Sequence, residues 1–549
     1  MKKTRFYIIL ISLIPYFAST GFSFAQTWNW FLNAQTNGVG IVGLYTDSLG
    51  NRYAGGTLDS LIIIGTTLQT DSSFGAAYII KFDTAGQVVW YNLIETSDYI
   101  HVNDMVVAKD GTSYIGGETR GNIQIDNVIY NSIYTSGFIC KINSDGSCAW
   151  LKYIGGSITD KSTILDIAID ANQNTYTCGF WDSTALSMIH YGPFIMKLDS
   201  AGNEVWSNRS KMLISNLNWA CFNCYTFCSI SLDNFNNLYT SGLISNSPIL
   251  YGLIGTDTIV ADDCFISSFD INGNYRFTNN YSKSISYNLK NLPTGELIAD
   301  IAFNDSVIIA GTTYYANQPQ SDLALLYIDS MGNCYDGIVF SGKGQEGVQA
   351  IDIDLYGNIV LTGSYSDTLR IDSAHINPYD SVLYKYDIFL LNINPYLNHL
   401  NWFYSFGGDD EDYSASIHID HSNNIYIAGV FRSTSCDFGS MTVPNNAGQV
   451  LYLAELQSPI LSSTIKDIDR SKFRIFPVPT SAKLNIDVSE IEENVKEINI
   501  KNILGQTVLK VNTINDKLEE LDVKKLNSGI YMVEVITKQN TLVKKFIKL

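Results

Sequence analysis

Four carboxylates in a row, Asp409-Asp410-Glu411-Asp412, are followed closely by His418 and His421, the one local grouping of metal-ligand side chains of this sort in the chain. Imidazole nitrogens beside carboxylate oxygens are what a divalent metal or an activated water requires. A strand continuing through the two histidines turns them to opposite faces, so a solvated rim loop is expected there. Cys221, Cys224 and Cys228 are soft-metal ligands at short spacing. No second Cys pair or His stands at zinc spacing, which points to a disulfide or buried thiols. Cys140 and Cys148 flank the turn Asn143-Ser-Asp-Gly146 and are expected to face each other across a hairpin. Gly-x-Ser-x-Gly, His-Glu-x-x-His and a phosphate-binding Gly-rich loop are all missing from the sequence. No catalytic residue, cofactor or metal ligand is therefore assigned, with a loop calcium ion the one alternative left open.

The elements that would position such groups are written in a repeat of about 60 residues. A polar turn followed by a strand ending in Gly recurs at Asp47 to Gly55, Asp110 to Gly116, Asp170 to Gly179, Asp233 to Gly242, Asn304 to Gly311, Asp354 to Gly363 and Asp420 to Gly429. The glycines are 61, 63, 63, 69, 52 and 66 residues apart, regular enough for one unit with loop insertions. After each comes an apolar strand (78–82, 138–142, 194–198, 265–269, 323–328, 388–393 and 451–456), then a turn and a strand with an aromatic residue. Those aromatics are Trp90, Trp150, Trp206, Phe277, Tyr335 and Trp402, one short of the other landmarks. Trp28 and Trp30 at the other end of the array supply the seventh. Such an offset suits a ring in which the N-terminal strand completes the last four-stranded blade, whereas an open array gives no reason for it. Each repeated Gly is expected to permit close backbone packing or a positive φ.

The pattern Asp-x-x-Gly-Asn-x-Tyr-x-x-Gly resembles a bacterial β-propeller repeat family over roughly 27–458. The resemblance implies a seven-bladed β-propeller closed by an N-terminal strand, and says little of function. Asp199-Ser-Ala-Gly-Asn-Glu-Val-Trp206 is also superficially similar to the Asp motif of sialidase-type propellers, which in those enzymes is structural. Turn chemistry alone accounts for Asp, Asn and Gly at these positions.

Both ends of the chain differ from its middle. Lys2, Lys3 and Arg5 precede an apolar run from Phe6 to Ala18 and a small, polar stretch ending at Ala25. This reads as a secretory signal over 1–25; the run is too short for the roughly 20 apolar residues of a membrane span, and no later stretch is long and apolar enough. Residues 26–470 hold 19 basic and 44 acidic side chains, a net −25, which excludes nucleic acid and anionic membranes as partners. Residues 471–549 hold 13 basic and 10 acidic side chains. The repeat stops at a polar linker, 459–471, and 472–549 alternates apolar residues between turn signals, as a small immunoglobulin-like β-sandwich does.

Within that segment Pro477, Pro479, Leu484, Ile486, Gly505, Gly529, Ile530, Tyr531, Lys544, Lys545 and Lys548 follow the order of the type A sorting domain of the type IX secretion system, which the segment resembles. The family usually reads Pro-Asn-Pro where this chain has Pro477-Val-Pro479. The resemblance implies Sec export, passage through the outer membrane by the type IX machinery, removal of the module near the linker, and release or surface attachment in a bacterium of the Bacteroidota type. For the repeat region a non-enzymatic binding or adhesion module for extracellular glycan or protein is expected. The alternative is an extracellular polysaccharide-active hydrolase or lyase with carboxylates at the propeller channel mouth.

Overall fold

Runs of Val, Ile, Tyr, Phe and Thr broken every few residues by Asp, Asn and Gly favour short strands and tight turns, and among the described residues every regular element is a strand. The computed structural model describes residues 28–456 and 474–548 except for internal stretches, the longer of which are 156–159, 184–189, 215–224, 245–248, 377–384, 503–506 and 512–517. Contacts divide the chain into two compact units, Met1–Ser458 and Pro459–Leu549.

Among the described residues of the first unit there are eleven antiparallel sheets, four of them small and the other seven larger and successive along the chain. The first contains Val39–Thr46, Arg52–Leu58, Ala76–Phe82 and Val88–Thr96, and the second Tyr99–Val107, Ser113–Arg120, Ser136–Ile142 and Cys148–Gly155. The third is Asp160–Ile169, Thr175–Ser183, His190–Leu198 and Glu204–Arg209; the fourth is Tyr225–Leu232, Leu238–Ile244, Asp263–Phe269 and Tyr275–Ser282. In the fifth, Leu297–Phe303, Asp322–Ile328 and Cys334–Ser341 follow a first strand broken into Ser284–Ile285 and Leu289–Asn291. Glu346–Ile353, Ile359–Tyr365, Asp387–Asn394 and His399–Phe406 make the sixth. The seventh takes Asp412–Ile419, Ile425–Phe431 and Val450–Leu456 from its own stretch of chain and Trp28–Gln35 from the other end, Trp30 lying opposite Glu455.

The first strand of each sheet lies beside the first strand of the next, and Asp412–Ile419 lies beside Val39–Thr46. Apolar side chains fill the space between neighbouring sheets. Ile79, Ile94, Met105 and Phe138 join the first and second, Leu325, Ile338, Leu361 and Phe389 the fifth and sixth, and Leu44, Tyr78, Tyr426 and Leu453 the first and seventh. Sheets buried on both faces need near-continuous apolar strands, and Ser136–Ile142, Asp322–Ile328 and Val450–Leu456 are buried along their whole length.

The second unit has a three-stranded sheet (Arg474–Phe476, Lys483–Asp487, Leu518–Asp522) and a four-stranded one (Glu497–Asn502, Thr507–Val511, Gly529–Ile536, Thr541–Lys548). Leu484, Ile486 and Leu521 from the first sheet meet Ile498, Ile500, Tyr531, Val533 and Val535 from the second in one core.

Candidate functional site

The repeated turns are built alike. At Asp170 the carboxylate accepts the backbone N–H groups of Asn172 and Asn174 (both 2.9 Å), the Asn174 amide (2.7 Å) and the Tyr176 hydroxyl (3.3 Å). Asp47, Asp233 and Asp420 repeat this set through Tyr53, Tyr239 and Tyr426. These carboxylates are occupied by their own turns, so the Asp repeat is scaffold, and Asp199 in its Trp206 motif is held the same way by Ala201 and Asn203.

The strand aromatics tie one sheet to the next. The indole N–H groups of Trp90, Trp150 and Trp206 donate to the carbonyls of Ser144, Ser200 and Ile271 in the following sheet (3.0, 3.2 and 3.1 Å). Their rings cover Gly146, Gly202 and Gly273, which have positive φ and leave no room for a Cβ. Each ring also meets the tyrosine of its own turn edge-on, as Trp150 does Tyr114 at 6.1 Å.

The repeated glycines meet a different demand, close backbone packing, and in three sheets the residue facing the first strand's bend is not the glycine the repeat suggests. In six sheets the first strand bulges, at Ile41/Gly43, Val102/Asp104, Ile164/Asp166, Phe227/Ser229, Val348/Ala350 and Ser414/Ser416. The residue paired just before the bulge is Gly56, Gly117, Gly179, Gly242, Gly363 or Gly429. A Cβ on Gly56, Gly117, Gly179, Gly363 or Gly429 would fall on the carbonyl oxygen of Gly40, His101, Thr163, Gly347 or Tyr413. The equivalent residues in the first two sheets are thus Gly56 and Gly117, one beyond the expected Gly55 and Gly116, a shift hidden by the Gly-Gly doublets. Gly311 is not equivalent at all: it lies between Ser306–Ile309 and Thr312–Tyr315, in a separate hairpin. The fifth turn is Leu292 to Glu296, and Ile301 takes the glycine's place because a broken first strand presents no bulge.

Bulges re-aim the residues beside them, and here they gather polar groups on the inner strands. Asp104 accepts the Ile167 N–H of the third sheet (2.9 Å), and Asp166 accepts the Ile230 N–H and Ser229 hydroxyl of the fourth (both 2.8 Å). Asp352 accepts the Ile419 N–H of the seventh (2.7 Å) and pairs with Lys290 (2.7 Å). His418 stands between Asp352 (3.6 Å) and the Thr46 hydroxyl (3.0 Å). Its ring lies 5.2 Å from that of Tyr45.

Burial, and then their mutual hydrogen bond and repulsion, hold Asp104 well above the usual carboxylate range; burial also raises Asp166. Tyr45 is raised by burial and by Asp104, Asp166 and Asp352, so one phenol and three carboxyls share a region. Burial works against ionisation of Asp352, but Lys290 and His418 outweigh it and keep it below its ordinary value. Burial lowers His418. The cluster can hold a proton between two carboxyls and present a phenol and an imidazole. It was not singled out from the sequence, although Asp104 and Asp166 each stand four residues before their turns and Tyr45, Asp352 and His418 two before theirs.

The acidic run does not join the histidines. Asp409 accepts from Thr434, Asp410 pairs with Lys385, Glu411 with Arg432, and Asp412 is buried against Ser433. His418 turns instead to the inner cluster, and His421 is exposed. Among the described residues no three His, Cys, Asp or Glu side chains form a metal-holding group. Cys140 and Cys148 do face each other, as free thiols with sulfurs 3.6 Å apart. Cys221 and Cys224 lie outside the described residues, and Cys228 is in the strand Tyr225–Leu232.

In the second unit Leu484 and Ile486 are fully buried and Tyr531 nearly so, which makes them packing residues. Lys544, Lys545 and Lys548 pair along Gly529–Ile536, opposite Val533, Met532 and Gly529. Pro477, Pro479 and Gly505 lie outside the described residues.

Residues 474–549 match the family model of the secretion system C-terminal sorting domain. The chain therefore carries a type IX sorting domain, which implies export to the cell surface or medium and an encounter with that secretion machinery. No curated protein matches the chain. Among solved structures it is similar to the Dos1 propeller (8% identity, 78% of this chain and 95% of that one, TM-score 0.39). It is also similar to puromycin hydrolase (9%, 82% and 59%, 0.40) and to a DUF4221 family member from Bacteroides vulgatus (9%, 79% and 98%, 0.31). At these scores the resemblances assign no activity.

Proposed function

We propose that this chain is an exported binding protein in which residues 26–458 form a closed seven-bladed β-propeller and 472–549 form an immunoglobulin-like address for type IX secretion. Residues 1–25 are then the leader and 459–471 the linker. The observation that carries the reading is the sorting-domain match over residues 474–549. Support for closure comes from the pairing of Trp28–Gln35 with Val450–Leu456 and from the contact of Asp412–Ile419 with Val39–Thr46. The mature protein is released or held on the outer surface of a bacterium of the Bacteroidota type, where the propeller engages a glycan or a protein.

Binding is preferred to hydrolysis because the inner carboxylates are committed to the scaffold. Asp104, Asp166 and Asp352 each accept a backbone N–H from the next sheet in sequence. Burial and the neighbouring Asp166 also hold Asp104 well above the usual carboxylate range. Fractionation of native cells with intact mass measurement, with and without the segment from Ser471 onward, tests the proposal. The full chain is expected to lose both ends and reach the surface or medium while the truncated one stays in the periplasm. Normal export of the truncated chain would overturn it.

A further inference from the structure

In the second sheet the register between Ser136–Ile142 and Cys148–Gly155 shifts at Lys141/Ile142, with Trp150 opposite Lys141 and Cys148 opposite Ile142. The bulge leaves Ala149 without a counterpart and turns Cys148 to the face that carries Cys140 and Leu151, in the core between the first and second sheets. Cys140 is fully buried there and Cys148 half-buried, and their sulfurs stand 3.6 Å apart. A disulfide needs about 2.0 Å, so a short approach joins them.

The fifth sheet repeats the bulge at Tyr327/Ile328 and places Cys334 where Cys148 stands. Leu326 there takes the place of Cys140, and the Cys334 thiol donates to the Asp336 carbonyl (3.5 Å). The two thiols differ accordingly. Hydrogen bonds from Cys140 and the Tyr130 hydroxyl hold Cys148 below the usual thiol range against burial and Asp126, whereas burial pushes Cys334 up. That same bond to Cys148, with burial, holds Cys140 well above its ordinary value. Cys148, more open and more easily ionised, is the attacking sulfur of the pair.

We propose that Cys140 and Cys148 are oxidised to a disulfide during export, by a thiol–disulfide oxidoreductase of the periplasm acting through its own disulfide. The choice of oxidant rests on the export that the sorting domain implies. The Cys148 thiolate attacks one sulfur of the oxidant's disulfide, which breaks and releases the other sulfur as a thiolate. Cys140 then gives up its proton, and its sulfur displaces the oxidant from Cys148. Two electrons pass to the oxidant, which leaves as a dithiol carrying the two protons the cysteines lose. The bond closes the turn Asn143–Ser147 and fixes Cys148, whose N–H donates to Asp126 (2.5 Å) in the hairpin of Ile123–Ile125 and Val128–Tyr130. That hairpin extends the first sheet through Ile123 and Thr96, so the disulfide stiffens the tie between the two sheets.

Trypsin cuts after Arg120, Lys141 and Lys152, which places the two cysteines in separate peptides, 121–141 and 142–152. The test is to collect the exported protein from the surface or medium with N-ethylmaleimide present throughout, digest it and weigh the peptides. The expected species is the two peptides joined, lighter by two hydrogens than their sum and parted by dithiothreitol, with Cys334 recovered as a labelled thiol. Cys148→Ser is expected to abolish the joined species and the fall in thermal midpoint that dithiothreitol causes in wild type. Label on both cysteines of the exported protein, or a bond from either to another cysteine, would overturn the proposal. Should the chain remain inside the cell, the export reading fails and the pair is judged by oxidising the purified chain with glutathione disulfide, where separate labelled peptides overturn it.

Discussion

The third and fifth sheets do the same job with different parts. In the third, Asp170 organises the turn, Gly179 faces a bulge, and the bulge sends Asp166 to the inner cluster. The fifth turns on buried Leu292, with Gly295 supplying the positive φ. Its first strand breaks instead of bulging, and Asp300, 2% exposed, bridges the break by accepting the Asn288 N–H at 2.7 Å. The sequence motif therefore records one way of ending and bending a strand, and a sheet can dispense with it where another device meets the same demand.

The largest test of that contrast lies at the glycine position. Gly179→Ala puts a methyl group on the Thr163 carbonyl, inside a strand pair that cannot move apart without losing its ladder. A loss of about 3–5 kcal/mol in unfolding free energy is expected. At the matching place Ile301 is fully buried, so Ile301→Ala is expected to lose about 2–4 kcal/mol for the opposite reason, a cavity. Denaturant unfolding of both variants decides the point; a tolerated Gly179→Ala would mean that the bulge does not require glycine.

The turns give the next effect. Asp170→Ala removes the acceptor for two backbone N–H groups, an amide and the Tyr176 hydroxyl, and is expected to cost about 2–3 kcal/mol. Leu292→Ala should cost a similar amount through lost packing against the Ile298 to Phe389 cluster. The two differ in heat capacity, since only the second removes apolar surface, and calorimetry separates them.

The inner carboxyls distinguish the sheets through pH. Asp104 and Asp166 have folded values raised above the unfolded ones, so the folded state binds protons more tightly. Their contribution is fully present below about pH 4 and is lost as pH rises through their folded values. Asp104→Asn should flatten the fall in stability above pH 4 by up to about 1.4 kcal/mol per pH unit. Equal slopes for wild type and Asp104→Asn would sink the shared-proton reading.

Legibility in the sequence followed the locality of the cause. Turns such as Asp170 to Asn174 close on themselves within five residues, so their chemistry is visible in a short window. The apolar runs and the Trp28 offset were visible too, because strand burial imposes its pattern directly. What was hidden depends on register between strands. Gly55 and Gly56 cannot be told apart until Ile41 is known to precede a bulge, and Asn304 to Gly311 imitates a turn it does not form because the real fifth turn contains no Asp. Asp104 and Asp166 looked like ordinary strand polar residues, since only packing of one sheet on the next brings them together.

The smallest expected effect concerns the ties between sheets. Trp150→Phe keeps the ring over Gly202 but loses the donor to the Ser200 carbonyl, at a cost of about 1 kcal/mol. Sequence likeness alone would suggest that Phe277, which covers Gly332 in the same way, is a weaker tie improved by Trp. The matching carbonyl, that of Ser330, already accepts the Arg276 guanidinium at 2.9 Å. The Ser144 and Ser200 carbonyls each take two donors, the indole of Trp90 or Trp150 and the ammonium of Lys81 or Lys141. Phe277→Trp is therefore expected to gain about 0.5–1 kcal/mol with Arg276 intact. A gain that appears only in an Arg276→Ala background would show that at Ser330 the two donors compete for the carbonyl.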